Sequence, residues 1–236
     1  MDGKIKIGLE PEELKRLTPD CLKTSIRDMA YVLSKKLDGA TTVSSTLFAA
    51  KHAKIPLFVT GGIGGVHRDA FDISADLKSL AESPVTVVCA GIKSILDIPK
   101  TLEMLEALGV FVGTIHSPTF PSFYTSTSGM ASPYSLSHEE CAAVMHIQRT
   151  LGLSSGMLIG VPLLQSFFAQ GEIETAIQSA LQEAAYFLCT LLMSQAQIVG
   201  KAITPFLLSK VAEKTAGQSL AASEAPFLFP DRYCLD

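Results

Sequence analysis

The stretch PVTVVCAGIKSILDIPKTLEMLEALGVFVGTI, residues 84–115, decides the fold. Its first part, PVTVVCAG, is a short valine-rich run ended by glycine, which is typical of a buried strand. The segment ILDIPKTLEMLEALG predicts an amphipathic helix that carries Leu102, Leu105 and Leu108 on one face and stops at Gly109. VFVGTI predicts a second strand. A strand, a helix and a strand in this order predict a parallel sheet covered by helices.

The same alternation continues on both sides of this unit. KIPLFV and GMLIGVP predict two further strands. Ser137 and Glu140 form a predicted capping box at the start of a helix, and the Ser/Thr/Pro-rich segment 116–134 predicts a surface loop. The predicted helices span residues 10–17, 27–37, 39–53, 76–81, 137–152, 173–193 and 204–217. We find no repeat and no linker, so we expect one α/β domain, 1–236, with a mostly parallel central sheet.

Composition limits the classes of function. The chain has 236 residues, of which 47% are hydrophobic and 18% charged, enough for one large α/β core. Its net charge of −4 and the lack of a basic stripe argue against a nucleic-acid partner. The longest strongly apolar run, 184–193, is shorter than the roughly 20 residues that cross a bilayer. We expect no membrane partner, and a cytoplasmic location by default because no targeting signal is visible.

A second stretch, TGGIGGVHRDAFDISADL from Thr60 to Leu77, follows a predicted strand and concentrates polar residues. In open parallel sheets ligands bind beyond the carboxyl ends of the strands. Backbone N–H groups of glycines approach anions closely, and His67 and Arg68 would add positive charge. The pattern is neither the dinucleotide fingerprint nor a P-loop, so a plain glycine turn stays an equal alternative.

Two aspartates in this stretch suggest a metal. Asp72 and Asp76 are spaced i, i+4, and on one helix they would share a face and bind Mg²⁺ or Mn²⁺. The alternative is that one of them caps the helix that begins near Ser74.

Lys93 stands between apolar residues just after a predicted buried strand. A poorly solvated lysine has a lowered pKa and becomes a nucleophile for carbonyl carbon. The alternative is a surface lysine whose amine reaches water. Lys23 would hold a phosphate as a point charge, or would be an ordinary solvated lysine.

Taken together, several motifs resemble those of the pseudouridine-5′-phosphate glycosidase family, also called the indigoidine synthase A-like family. The similarity extends over most of the chain, from about Cys21 to Leu220. The matching segments are GATTVSSTL (39–47), TGGIGGVHR (60–68), FDISADL (71–77), VTVVCAGIKSILDIPKTLEMLEALGV (85–110) and GKAITPFLLSKVAEKTAGQSL (200–220).

The resemblance implies an α/β/α layered fold, a homotrimer and a Mn²⁺ cofactor. It implies cleavage of the C–C glycosidic bond of pseudouridine 5′-phosphate to uracil and ribose 5-phosphate. Lys93 would be the nucleophile that forms an imine with the opened sugar, and Asp72 would bind the metal. The phosphate and sugar would be bound by Lys23, Thr42, Thr60, His67 and Ser74.

Four departures from the family pattern alter this expectation. The ALEST segment, whose Glu transfers protons, has no counterpart here, and we expect a strand and a helix of the fold to be missing with it. Ser223 replaces an active-site Asn in a divergent tail, Val161 replaces the Asn of an ANP motif, and the apolar segment 185–194 looks inserted. A general acid or base contributes roughly 10²–10⁴-fold, so we expect slow turnover.

Two alternatives follow from these departures. The chain would be a catalytically impaired homologue that serves as a scaffold or partner in mixed trimers. Otherwise it would be an imine-forming lyase that acts on a different phosphosugar.

Overall fold

The computed structural model describes residues 1–68, 72–163 and 203–214, together with the helical positions Thr175, Gln178, Ser179 and Gln182. The helices are α1 Pro11–Leu14, α2 Met29–Ser34, α3 Val43–His52, α4 Ala75–Ala81, α5 Ile98–Ala107, α6 His138–Thr150 and α7 Ile203–Lys214, with a 3₁₀ turn at Ile26–Asp28. The strands are β1 Leu22–Thr24, β2 Gly39–Thr41, β3 Leu57–Thr60, β4 Thr86–Cys89, β5 Phe111–Ile115, β6 Ser135–Leu136 and β7 Met157–Gly160.

The described strands form two parallel sheets. The larger has the order β3-β4-β7-β5-β6, and every pair in it is parallel. The smaller pairs β1 with β2, with Lys23 beside Ala40 in the register. The α/β fold with a mostly parallel central sheet is therefore confirmed.

Both faces of the central sheet are covered, as the apolar runs of its inner strands require. Leu158 of β7 and Val87 of β4 face a core that includes Leu105 of α5 and Val211 of α7. Residues on the opposite face, Met157 and Ile159, pack against Cys141 of α6. The sheet is thus the middle layer between helices, and the carboxyl ends of its strands stay available for a site.

Local signals predicted some elements correctly. Helix α6 begins after Ser137, whose hydroxyl accepts a hydrogen bond from the backbone N–H of Glu140, while the Glu140 carboxylate accepts one from the N–H of Ser137. The predicted capping box is therefore confirmed. The predicted strand–helix–strand unit appears as β4, α5 and β5.

Other predictions were wrong. The segment 39–53 is not one helix, because Gly39–Thr41 pairs with Leu22–Thr24 as a strand before α3 begins. The predicted helices 10–17 and 27–37 are shorter, at four and six α-helical residues. Leu108 was placed on the buried face of α5, but it is 36% exposed since it is the C-cap, past the last helical turn.

The predicted surface loop 116–134 is buried in its middle part, residues 120–125, and exposed toward both ends. Phe120 is fully buried, and Phe123 and Tyr124 are each 6% exposed. Its hydroxyl groups reach main-chain oxygens, as with Ser128 Oγ to Phe120 O at 2.6 Å. The predicted helix 173–193 and the divergent tail that contains Ser223 lie outside the described residues, apart from the four helical positions named above.

Candidate active site

A polar cavity of about 470 Å³ lies at the carboxyl ends of β3 and β4, between them and the small β1–β2 sheet. This size suits a small-molecule ligand. All seven of the predicted site residues line it: Lys23, Thr42, Thr60, His67, Asp72, Ser74 and Lys93. The structure therefore brings together residues that are up to 70 positions apart, while their individual roles stay predictions.

Lys93 lies on the turn that follows β4, and main-chain hydrogen bonds hold this turn against the glycine loop. The Lys93 N–H donates to Ile63 O at 3.2 Å, and the Ile63 N–H donates to Gly91 O at 3.1 Å. The lysine side chain is half-buried and faces the cavity.

The surroundings of Lys93 favour the neutral amine. Burial lowers the pKa of Lys93, the charge of Lys23 lowers it further, and the carboxylate of Asp76 acts in the opposite direction. A larger neutral fraction near pH 7 makes the amine a better nucleophile, because only the unprotonated form has a free lone pair.

The glycines of the loop are needed for close packing. A Cβ on Gly62 would lie 2.5 Å from the Phe123 ring, and one on Gly64 would lie 2.7 Å from Ser74 Cβ. A Cβ on Gly65 would run into the side chain of Thr101. The Gly64 N–H, moreover, already donates to Asp76, so this amide is not part of an anion cradle.

Arg68 does not contribute to the cavity as the sequence suggested. Its guanidinium donates to Leu96 O at 3.2 Å and to Ser94 O at 3.1 Å, and it does not line the cavity. These bonds tie the glycine loop to the segment just after Lys93.

Asp72 and Asp76 do not share a helix face, so that prediction was wrong. Helix α4 begins at Ala75, and its N-cap is Ser74, whose hydroxyl accepts from the Asp76 N–H. The alternative, that an aspartate caps this helix, was also wrong.

Asp76 is a buried brace. Its carboxylate accepts hydrogen bonds from the N–H of Ser44 and from the N–H of Gly64, each at 2.9 Å. It is 5% exposed and joins the start of α3 to the glycine loop. Since both oxygens are engaged, Asp76 holds the walls of the cavity in place.

Asp72 lies before α4, with a side chain that is 30% exposed, and its Oδ2 is 3.8 Å from Nε2 of His67. Burial lowers the pKa of His67, the carboxylate of Asp72 opposes this shift, and Lys23 and Lys93 add to it. The neutral imidazole is therefore favoured, and Asp72 lines the cavity beside it.

The donor set fits a hydrated cation better than a protein cage. Among the described residues no group of three or more His, Cys, Asp and Glu side chains is placed to hold a metal ion. Mg²⁺ and Mn²⁺ are often bound through one or two carboxylates, with water and substrate oxygens completing the shell. Asp72 suits that arrangement, with Asp76 already committed to backbone amides.

The opposite wall contains residues that the sequence did not single out. Ser25, Arg27 and Thr41 all line the cavity near Lys23 and Thr42. Thr42 is the N-cap of α3, and its hydroxyl donates to Ser25 Oγ at 3.3 Å. Thr41 was missed because β2 has three residues, too few for a periodic signal, and Ser25 and Arg27 follow β1, which is equally short. None of the helices in the described ranges is long and apolar enough to cross a membrane.

Comparisons with known proteins place this geometry in a family. The profile described as "Indigoidine synthase A like protein" matches residues 1–226, a wider range than the expected 21–220. The pseudouridine-5′-phosphate glycosidase of Legionella pneumophila is 46% identical over 228 residues, which cover 94% of this chain and 70% of that protein. The one from Caldanaerobacter subterraneus is 48% identical over 228 residues, covering 94% and 71%.

Solved structures agree with these sequence relatives. An indigoidine synthase A-like protein from Thermotoga maritima superposes with a TM-score of 0.82 at 32% identity, over 94% of this chain and 72% of that one. The prealnumycin C-glycosynthase AlnA in complex with ribulose 5-phosphate gives a TM-score of 0.79 at 31% identity, with the same coverage. The chain therefore belongs to the indigoidine synthase A-like family.

Proposed function

We propose that this protein cleaves the C–C glycosidic bond of pseudouridine 5′-phosphate and releases uracil and ribose 5-phosphate. Relatives at 45–48% identity carry the name of this activity. The observation that carries the proposal is Lys93, a half-buried lysine with a lowered pKa that faces a polar cavity. The complex of the related C-glycosynthase with ribulose 5-phosphate supports a pentose 5-phosphate as the ligand.

The reaction balances with Lys93 and one water molecule. The neutral amine attacks C1′ of the ribose and displaces the ring oxygen, which takes the proton that the nitrogen loses. The nitrogen lone pair then forms a C1′=N bond while the C1′–C5 electron pair moves to C5 of uracil. C5 takes up a proton, the nitrogen gives up the one that it still carries, and uracil leaves. Water adds to the imine carbon and releases ribose 5-phosphate and the free amine. This route replaces one difficult C–C cleavage by easier steps.

The other predicted residues are proposed to bind and orient the substrate. Lys23 supplies positive charge for the phosphate, and Thr42 is proposed to contact it from the same wall of the cavity. Thr60, His67 and Ser74 are proposed to contact the sugar and phosphate.

Mn²⁺ is proposed to bind at Asp72. When bound, the cation would neutralise negative charge on the substrate. The homotrimer and the cytoplasmic location also stay predictions.

Proton transfer to the uracil carbon would draw on few acidic side chains among the described residues. Among the described residues that line the cavity, the carboxylates are Asp72 and Asp76, and Asp76 is held by two amides. Asp76 is therefore proposed to hold the cavity walls together and not to transfer a proton.

Turnover of pseudouridine 5′-phosphate tests the proposal. Purified protein with Mn²⁺ should release uracil and ribose 5-phosphate in equal amounts, and Lys93→Ala should abolish the release. Lys100→Ala is the matched control, because Lys100 is an exposed lysine outside the cavity. Equal rates for Lys93→Ala and the wild type would remove Lys93 from the mechanism.

A folded wild type that releases no uracil would favour one of the alternatives. Co-purification with a full-length relative would then support the scaffold in mixed trimers. Products from another sugar phosphate would support a lyase with a different substrate.

A further inference from the structure

Phe123 has a backbone conformation that side chains rarely adopt. Its φ is +68°, in the left-handed region, and the residue is 6% exposed. A residue other than glycine in this region costs free energy, and such residues persist only where the surrounding structure holds them. They concentrate at functional sites, so the contacts of Phe123 are informative.

The main chain at Phe123 is bonded to the end of β4, just before Lys93. The Phe123 N–H donates to Ala90 O at 3.0 Å, and Ser122 forms an antiparallel bridge with Gly91. A Cβ on Gly91 would lie 2.9 Å from Phe123 N and would also run into Pro121 O. Gly91, with φ +127°, is thus the residue that lets the two segments meet.

The side chain of Phe123 contacts the other loop of the site. Its ring packs on Gly62, where an added Cβ would lie 2.5 Å from the ring, and Gly62 lines the cavity. The ring also lies 4.4 Å from that of Tyr124, centroid to centroid. Phe123 therefore touches both loops that form the cavity, the glycine loop through its ring and the Lys93 turn through its N–H.

Buried hydroxyl groups hold the segment in this shape. Ser122 Oγ and Thr125 Oγ1 are hydrogen-bonded, Thr125 Oγ1 also bonds Thr127 O at 2.8 Å, and the Ser122 N–H donates to Thr125 O at 3.2 Å. These bonds close the chain on both sides of Phe123 and maintain its strained backbone.

We propose that Phe123 is a positioning residue that sets the placement of the Lys93 turn against the glycine loop. The Lys93 turn is held by two segments: Ile63 is hydrogen-bonded to Gly91 and Lys93, and Phe123 is hydrogen-bonded to Ala90. The catalytic consequence rests on the function proposed for Lys93, whereas the placement itself does not.

The first experiment measures placement without any substrate. Phe123→Ala removes the ring, Phe123→Leu keeps most of its volume, and Phe120→Leu is the matched control. Phe120 is fully buried in the same loop, but it packs near Gly160 of β7. We expect Phe123→Ala to speed hydrogen exchange at the amides of residues 61–65 and 90–96 by tenfold or more. Phe123→Leu and Phe120→Leu should change it less, at matched global stability.

The second experiment measures the consequence. Imine formation with ribose 5-phosphate is trapped by borohydride, and its rate is followed against sugar concentration. Phe123→Ala should lower the maximal rate about 10²-fold, because a 1 Å misplacement of a reacting group has an effect of this order. The half-saturating concentration should stay within about threefold, and Phe123→Leu should recover most of the rate. A loss of packing alone would lower the folded fraction and leave the rate per folded molecule unchanged.

The outcomes separate this inference from the proposed function. Unchanged exchange in Phe123→Ala would overturn the positioning role, whatever the trapping shows. Altered exchange with a wild-type trapping rate would overturn its connection to Lys93. If the wild type forms no imine, the proposed function fails, and the exchange experiment alone decides the placement.

Discussion

Asp76→Asn offers the sharpest test of how the cavity is built. The carboxylate of Asp76 accepts two backbone hydrogen bonds at 2.9 Å, from Ser44 on α3 and from Gly64 in the glycine loop. An Asn side chain has one oxygen and one NH₂ group, so it can accept one of these bonds while its NH₂ opposes the second N–H.

The size of the effect follows from burial. A hydrogen bond to a charged group contributes about 1.5–3 kcal/mol, and Asp76 is 5% exposed, so water does not replace the lost partner. Losing one bond and weakening the other should lower the free energy of unfolding by about 2–4 kcal/mol. The substitution changes no volume, so cavity formation adds nothing to this figure.

Urea unfolding followed by circular dichroism measures this difference. The matched control is Asp97→Asn, because Asp97 caps α5 through the N–H of Lys100 and Asn caps helices equally well. We expect the control to stay within about 1 kcal/mol of the wild type, since it also loses a partly exposed ion pair with Lys100. An Asp76→Asn protein as stable as the control would contradict the claim that the Asp76 carboxylate holds α3 and the glycine loop together.

Further predictions concern the same cavity. Gly64→Ala should destabilise the protein by about 1–3 kcal/mol, because the added Cβ would lie 2.7 Å from Ser74 Cβ and 2.8 Å from Asp76 Oδ2; thermal unfolding measures this. For His67, burial lowers the folded-state pKa below 6.5, so the unfolded chain takes up the proton first and stability is lost as the pH falls below about 6.5. His67→Gln should reduce the stability difference between pH 7.5 and pH 5.5, and an unchanged difference would contradict the assignment. Asp72→Asn should weaken Mn²⁺ binding about tenfold or more in calorimetry, and unchanged binding would place the metal elsewhere.

Signals contained within a short segment predicted their elements well. The capping box of Ser137 and Glu140 needs four residues, and helix α6 begins where they indicate. The strands β4 and β5 were also predicted from short segments. A strand buried on both faces has a continuous apolar run, and this run alone indicates the strand.

Elements that depend on distant partners were missed. Strand β1 exists because Leu22 to Thr24 pair with Gly39 to Thr41, and three residues show no periodicity. The loop 116–134 has a surface composition, yet several of its hydroxyl groups are buried and donate to main-chain oxygens, as Thr125 Oγ1 does to Thr127 O. A polar composition predicts exposure only when the polar groups find no hydrogen-bond partner in the protein interior.

The site was predicted in part. The glycine loop follows β3 and Lys93 follows β4. Parallel topology places the ends of both strands at one edge of the sheet, so their proximity could be predicted. The spacing of Asp72 and Asp76 suggested a shared metal. The Asp76 carboxylate instead accepts a hydrogen bond from the Ser44 N–H, and spacing could not show this because Ser44 lies 32 residues away in sequence. The roles proposed for Lys93 and Asp72 rest on the family resemblance, because spacing alone left them open.

Mapping of a trapped imine tests the central claim most directly. The folded protein is incubated with ribose 5-phosphate and Mn²⁺, reduced with borohydride, and digested for mass spectrometry. We predict one reduced pentose 5-phosphate adduct, on Lys93, which is absent in Lys93→Ala and present in Lys100→Ala. An adduct spread over exposed lysines, or none on a well-folded protein, would contradict the assignment of Lys93 as the nucleophile.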